Sequence, residues 1–123
     1  MQREISGILK LQAGPRNTTA WSDMVHRLYN PTAEVEIGLV GKYVEYEDSY
    51  KSLKEALLHG GLANDVEVKI SWIEAQDLEW PGCVEKLSHY DAILVPGGFG
   101  KRGVEGMINA IRFAREHKVP YFG

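Results

Sequence analysis

The sequence is short of most things that would narrow its chemistry quickly. It has one cysteine, Cys83, so no internal disulfide can form, and a lone thiol fits a reducing compartment. Its four histidines, His26, His59, His89 and His117, are scattered, and no two have metal-ligand spacing. No apolar run approaches the roughly 20 residues that span a bilayer, and the first ten residues lack the apolar stretch of a signal peptide. These features predict a cytoplasmic protein with no membrane partner. Charge of one sign is also missing: 14 basic and 17 acidic residues give a net charge of −3, with no block of like charge. Nucleic acid is therefore not an expected partner, because phosphate binding needs a clustered basic patch. No internal repeat or low-complexity segment occurs.

What is present is an ordinary globular composition, 44% apolar and 25% charged, in 123 residues, enough for about one domain. Two textures are visible. Residues 1–33 carry the turn signals Gly14-Pro15 and Asn17-Thr18-Thr19. One short helix is expected there, with Trp21, Met24, Val25 and Leu28 on one face, ended by Asn30-Pro31. This stretch reads as an interdomain connector, and 34–123 as the body of a domain.

From Glu34 onward strand and helix signals alternate. Val35–Val40 reads as a strand, followed by a helix capped by Asp48 that presents Tyr50, Leu53, Ala56 and Leu57 and is stopped by Gly60-Gly61. Val66, Val68, Ile70 and Trp72 alternate as a second strand, and a short helix is expected near Val84–Leu87. Ala92-Ile93-Leu94-Val95 is a continuous apolar run, as in a strand covered on both faces. A helix over 104–117 should turn Met107, Ile108, Ile111 and Ala114 inward, and Val119–Phe122 should form a fourth strand. The fold class predicted is α/β, a flavodoxin-like doubly wound parallel sheet, truncated after the fourth strand because no helix follows it. Ligands bind such sheets outside the carboxyl ends of the strands, where the loops after Val40 and Val95 lie.

Pro96-Gly97-Gly98-Phe99-Gly100 is the most informative stretch. Its glycines permit positive φ and close backbone approach, so its N–H groups can face a developing oxyanion. It also fits a plain tight turn after a buried strand. Gly38-Leu39-Val40-Gly41-Lys42-Tyr43 is not a phosphate loop: two residues separate its glycines, where four are needed, and Tyr replaces Ser/Thr. On its residues alone Lys42 reads as a solvated lysine. Phe99, Lys101, Arg102 and Glu105 make an aromatic and charged lip, suited to a base and an anion or simply to solvent. Cys83 follows Trp80-Pro81-Gly82 in no strand–turn–helix elbow and reads as a structural or surface thiol.

Residues 35–123 resemble the glutaminase domain of the CTP synthase family, a class I glutamine amidotransferase. The resemblance rests on Ile37–Tyr43, Asp48–Ser52, Glu55–Gly61, Asp91–Gly100, Arg102–Ile108, Arg112–Glu116 and Val119–Gly123. The connector Trp21–Pro31 also resembles the link between that family's two domains. The resemblance implies a ligase that makes CTP from UTP, ATP and glutamine with magnesium, is activated by GTP and forms homotetramers. It implies a Cys–His–Glu triad whose cysteine comes just after Gly123, beyond one apolar residue, so no catalytic residue falls in these residues. It implies that Gly98 lines the glutamine site and its oxyanion hole, and that Gly97 supports that turn. Phe99, Arg102, Gly103 and Glu105 fall on a lid loop serving GTP activation, and Lys42 and Tyr43 on a strand end near a domain interface. The expectation is an enzyme fragment, inactive alone and binding no cofactor itself. The alternative is a non-catalytic α/β binding or regulatory module of the same ancestry.

Overall fold

The computed structural model describes residues 2–10, 14, 16–44 and 47–123, so Pro15 of the expected Gly14-Pro15 turn lies outside the described residues. The order of elements is α1 (Gln2–Ile8), α2 (Thr19–Tyr29), β1 (Ala33–Gly41), α3 (Lys51–Ala63), β2 (Val66–Glu74), β3 (Ala92–Leu94), α4 (Val104–His117) and β4 (Tyr121–Phe122). Three 3-10 helices, Glu47–Tyr50, Ala75–Leu78 and Cys83–His89, fill the connections. Among the described residues, the first 33 therefore hold two helices rather than the single one expected.

The four strands lie in the order β2-β1-β3-β4, and all neighbours are parallel. Side chains alternate across a strand, and this splits the core in two. Val40 and Ile93 join Ala75, Leu78, Leu87, Ala110, Phe113 and Ala114 on the face covered by α4. Leu39 and Leu94 join Tyr50, Leu53 and Leu57 on the face covered by α3. Helices on both faces of a parallel sheet are the doubly wound arrangement expected from the strand–helix alternation.

Three local expectations are corrected. Asp48 does not cap α3: it is exposed within the first 3-10 helix, and Tyr50 takes the N-cap position with no side-chain cap hydrogen bond. The buried Tyr50 ring, 5% exposed, sets where that helix starts. Gly60-Gly61 do not stop α3, which runs to Ala63. Gly61 sits where the helix meets β2, and a Cβ there would lie 2.6 Å from the Val66 carbonyl oxygen. The helix ends instead at Asn64, which donates from its backbone and side chain to the Gly60 carbonyl, and Asp65 then turns with φ 56°. On α4, Ala114 is buried as expected and Met107 half-buried, but Ile108 and Ile111 are 41% and 38% exposed. Gly106, Ala110 and Phe113 are buried in their place, Gly106 against the Ala75–Leu78 3-10 helix. Gly106 fixes this rotation, because its Cα packs so closely that a Cβ would stand 1.7 Å from the Ala75 carbonyl oxygen.

Candidate functional site

The carboxyl ends of β1, β2 and β3 bring together residues from three distant stretches of chain. Gly41 ends β1 beneath the Tyr50 ring: a Cβ at 41 would lie 2.6 Å from the Tyr50 hydroxyl oxygen. Tyr50 in turn stacks on Trp72 of β2, with centroids 5.7 Å apart. The backbone N–H of Lys42 donates to the Tyr50 hydroxyl at 3.1 Å.

Lys42 overturns its reading as a solvated lysine. It is 2% exposed, and its ammonium donates to the carbonyl of Gly100 at 2.7 Å and toward that of Phe99 at 3.4 Å. Its stem runs under the glycine turn, with Cδ 3.2 Å from the place a Gly98 Cβ would occupy. Gly97 and Gly98 are exposed, and among the described residues their N–H groups have no hydrogen-bond partner. Exposed N–H groups without a protein partner are free to donate to an incoming anion.

The lip after the glycines is ordered by Arg102. Its guanidinium donates to Glu74 at 3.0 Å, to Gln76 at 2.9 Å and to the Lys42 carbonyl. It also lies over the Tyr43 ring, 5.7 Å from its centroid. Gly103 follows with φ 70°, a left-handed conformation, as the N-cap of α4, where a Cβ would meet that of Ala75 at 2.9 Å. Glu105 is exposed in the first turn of α4, where a negative charge suits the helix dipole. Phe99 is 96% exposed.

Lys42 and Tyr43 thus lie at the same end of the sheet as the glycine turn and the lip from Phe99 to Glu105. Sequence reasoning missed Tyr50 as the brace of the Gly41-Lys42 peptide, and Glu74 and Gln76 as the anchors of Arg102. The position of Glu74, last in the strand paired with β1, was the available signal. Cys83 lies elsewhere, half-buried against the core face covered by α4. A groove of about 330 Å³ lined by Trp80, Gly82, Asn109, Arg112 and Phe113 is built on the later turns of α4. Those turns run toward the amino ends of the strands, away from the glycine turn.

Residues 45–123 match the family described as Glutamine amidotransferase class-I. The chain is 60% identical to the CTP synthase of Koribacter versatilis, over 100% of this chain and 22% of that one. It is 64% identical to the CTP synthase of Acidobacterium capsulatum, over 94% of this chain and 21% of that one. It therefore spans about a fifth of the length of these curated relatives. Among solved structures it is similar to the Trypanosoma brucei CTPS glutaminase domain with bound acivicin. That likeness has a TM-score of 0.67 and 39% identity, over 72% of this chain and 35% of the other.

Proposed function

Because the chain belongs to the class-I glutamine amidotransferase family, we propose that it forms part of the glutaminase unit of a CTP synthase. In this reading residues 34–123 supply the glutamine-binding and oxyanion side of the site, and residues 1–33 connect it to a ligase unit. One observation carries the proposal: a glycine turn with unpaired N–H groups, held at the carboxyl end of β3 by a buried lysine. High identity to proteins named CTP synthase then selects this branch of the family.

The chemistry asked of these residues is stabilisation of charge. Attack of a thiolate on the glutamine amide carbon places a negative charge on the amide oxygen. The Gly98 N–H, seated by Gly97, donates to that oxygen, and the nitrogen leaves as ammonia, taking a proton from the triad histidine expected outside these residues, as the tetrahedral species collapses to a thioester. Preorganised donors of this kind contribute about 10²–10³ in rate. Phe99, Arg102, Gly103 and Glu105 form the lid that responds to GTP. The ammonia aminates UTP activated by ATP, in a cytoplasmic homotetramer. Magnesium and ATP are proposed to act in the ligase unit. The one cysteine is packed against the core, so the 123 residues are proposed not to hydrolyse glutamine alone.

The test is to read the encoding frame on both sides of the chain and assay its complete product. The proposal expects an apolar residue, Cys, Leu and Gly after Gly123, a phosphate-loop domain upstream, and glutamine-dependent CTP formation. A frame closed at both ends would overturn it in favour of a non-catalytic module.

A further inference from the structure

Lys42 is the one charged residue buried among the described residues, and no carboxylate pairs with it there. A buried ammonium has to be compensated. Here the compensation comes from two main-chain carbonyls, Gly100 at 2.7 Å and Phe99 at 3.4 Å. The other polar groups of residue 42 are committed as well: its N–H to the Tyr50 hydroxyl, and its carbonyl to Arg102. A lysine placed to bind substrate would present its ammonium to the cleft. This one is enclosed, and the two acceptors it meets belong to the loop itself.

The consequence for the loop follows from peptide geometry. No cis peptide occurs among the described residues, so each carbonyl is opposed to the N–H of its own peptide plane. Turning the Phe99 and Gly100 carbonyls toward Lys42 turns the N–H groups of Gly100 and Lys101 away from it. The lysine stem meanwhile sits under Gly98, leaving 3.2 Å to a would-be Cβ. The glycine turn is thus pinned from one side, at the Phe99 and Gly100 carbonyls and under Gly98.

We infer that Lys42 is the positioning residue of the glutamine site: its buried ammonium holds the 97–100 turn in the conformation that binds the oxyanion. The inference rests on the glutaminase reading above. It adds a residue that acts through the loop and does not touch the substrate.

Lys42→Met and Lys42→Arg test it in two ways. Met keeps the stem that supports Gly98 and removes the donors; Arg keeps donors. The first measurement is trypsin cleavage after Lys101 and Arg102 in the protein itself. Lys42→Met speeds it about tenfold, the effect of losing roughly one charge-assisted hydrogen bond, and Lys42→Arg recovers part of the resistance. The second measurement compares glutamine-dependent with ammonia-dependent CTP formation in the complete protein. Lys42→Met lowers the ratio about 10- to 100-fold, through kcat rather than the KM for glutamine, as expected for weakened transition-state donors. Unchanged cleavage, an unchanged ratio, or a loss confined to the KM for glutamine overturns the inference. If the unmutated complete protein makes no CTP from either nitrogen source, the synthase reading fails instead, and cleavage alone then decides whether Lys42 holds the loop.

Discussion

Lys42 and Arg102 clasp each other's loops: the Lys42 ammonium is bound by the carbonyls of Phe99 and Gly100, and the Arg102 guanidinium binds the Lys42 carbonyl. The two contacts close a ring between the end of β1 and the lip before α4. Arg102 extends the clasp to β2 through Glu74 and Gln76. Three strand ends are therefore locked by two cations.

Arg102→Met should loosen this end of the sheet without unfolding it. The Arg102 side chain is 47% exposed, so screening limits its ion pair with Glu74. The expected loss is about 1–2 kcal/mol, mostly from hydrogen bonds to Gln76 and the Lys42 carbonyl. Thermal unfolding should show a midpoint lower by several degrees. Arg102→Lys should recover little, because a point charge cannot bridge two side chains and a carbonyl as a planar fork does.

Two glycines on helices should respond oppositely to alanine. Gly106→Ala puts a Cβ 1.7 Å from the Ala75 carbonyl oxygen, and that backbone atom cannot yield without moving the 3-10 helix it starts. Overpacking of this kind costs about 1–3 kcal/mol or more. Gly60→Ala places its Cβ in open space within α3 and should stabilise by about 0.5–1 kcal/mol. Denaturant melts of the two variants check both signs.

Gly98→Ala should separate folding from the site. Its Cβ would meet only the Lys42 stem, at 3.2 Å, and a side chain can shift by a few tenths of an ångström. The fold should survive with a small change in midpoint, while glutamine-dependent activity of the complete protein falls. Because Gly98 and Lys42 share one contact, combining Gly98→Ala with Lys42→Met should give non-additive stability changes in a double-mutant cycle.

Lys69 and Glu34 give a pH-dependent term. The hydrogen bond that the Lys69 ammonium donates to Glu34 raises the Lys69 pKa above the ordinary lysine value, aided by Coulomb attraction to Glu34, Glu67 and Glu36, while desolvation opposes the rise. A pKa raised in the folded state adds stability that is fully present below the unfolded lysine value, about 10.4, and is lost as pH rises through the folded value. The contribution is therefore constant at neutral pH and fades only in alkali. The pair is exposed, so the effect is small and weakens with salt. Titration of the Lys69 side chain by NMR should show its pKa fall in Glu34→Gln.

The layered fold was legible because its signals are local. Alternation in Val66–Trp72 and the continuous run Ala92–Val95 gave two strands directly, and β1 needed only its boundaries widened. The face of α4 escapes the pattern because hydrophobicity favours Ile108 and Ile111, whereas close approach to the Ala75–Leu78 3-10 helix selects Gly106. The cap of α3 was misplaced because a 3-10 helix precedes it, a feature with no strong pattern of its own. At the site, the glycine turn was visible as composition. The burial of Lys42 was not, because its acceptors are backbone carbonyls 57 and 58 residues away and no residue type marks a carbonyl.

The central claim is that this segment serves a glutaminase feeding CTP synthesis. The most direct test is to give the complete protein UTP, ATP, magnesium and glutamine labelled with ¹⁵N at the amide, and to follow the label by mass spectrometry. The account predicts CTP carrying ¹⁵N in its 4-amino group, with glutamate formed in equal amount. Absence of CTP, or unlabelled CTP with glutamine left intact, would contradict it.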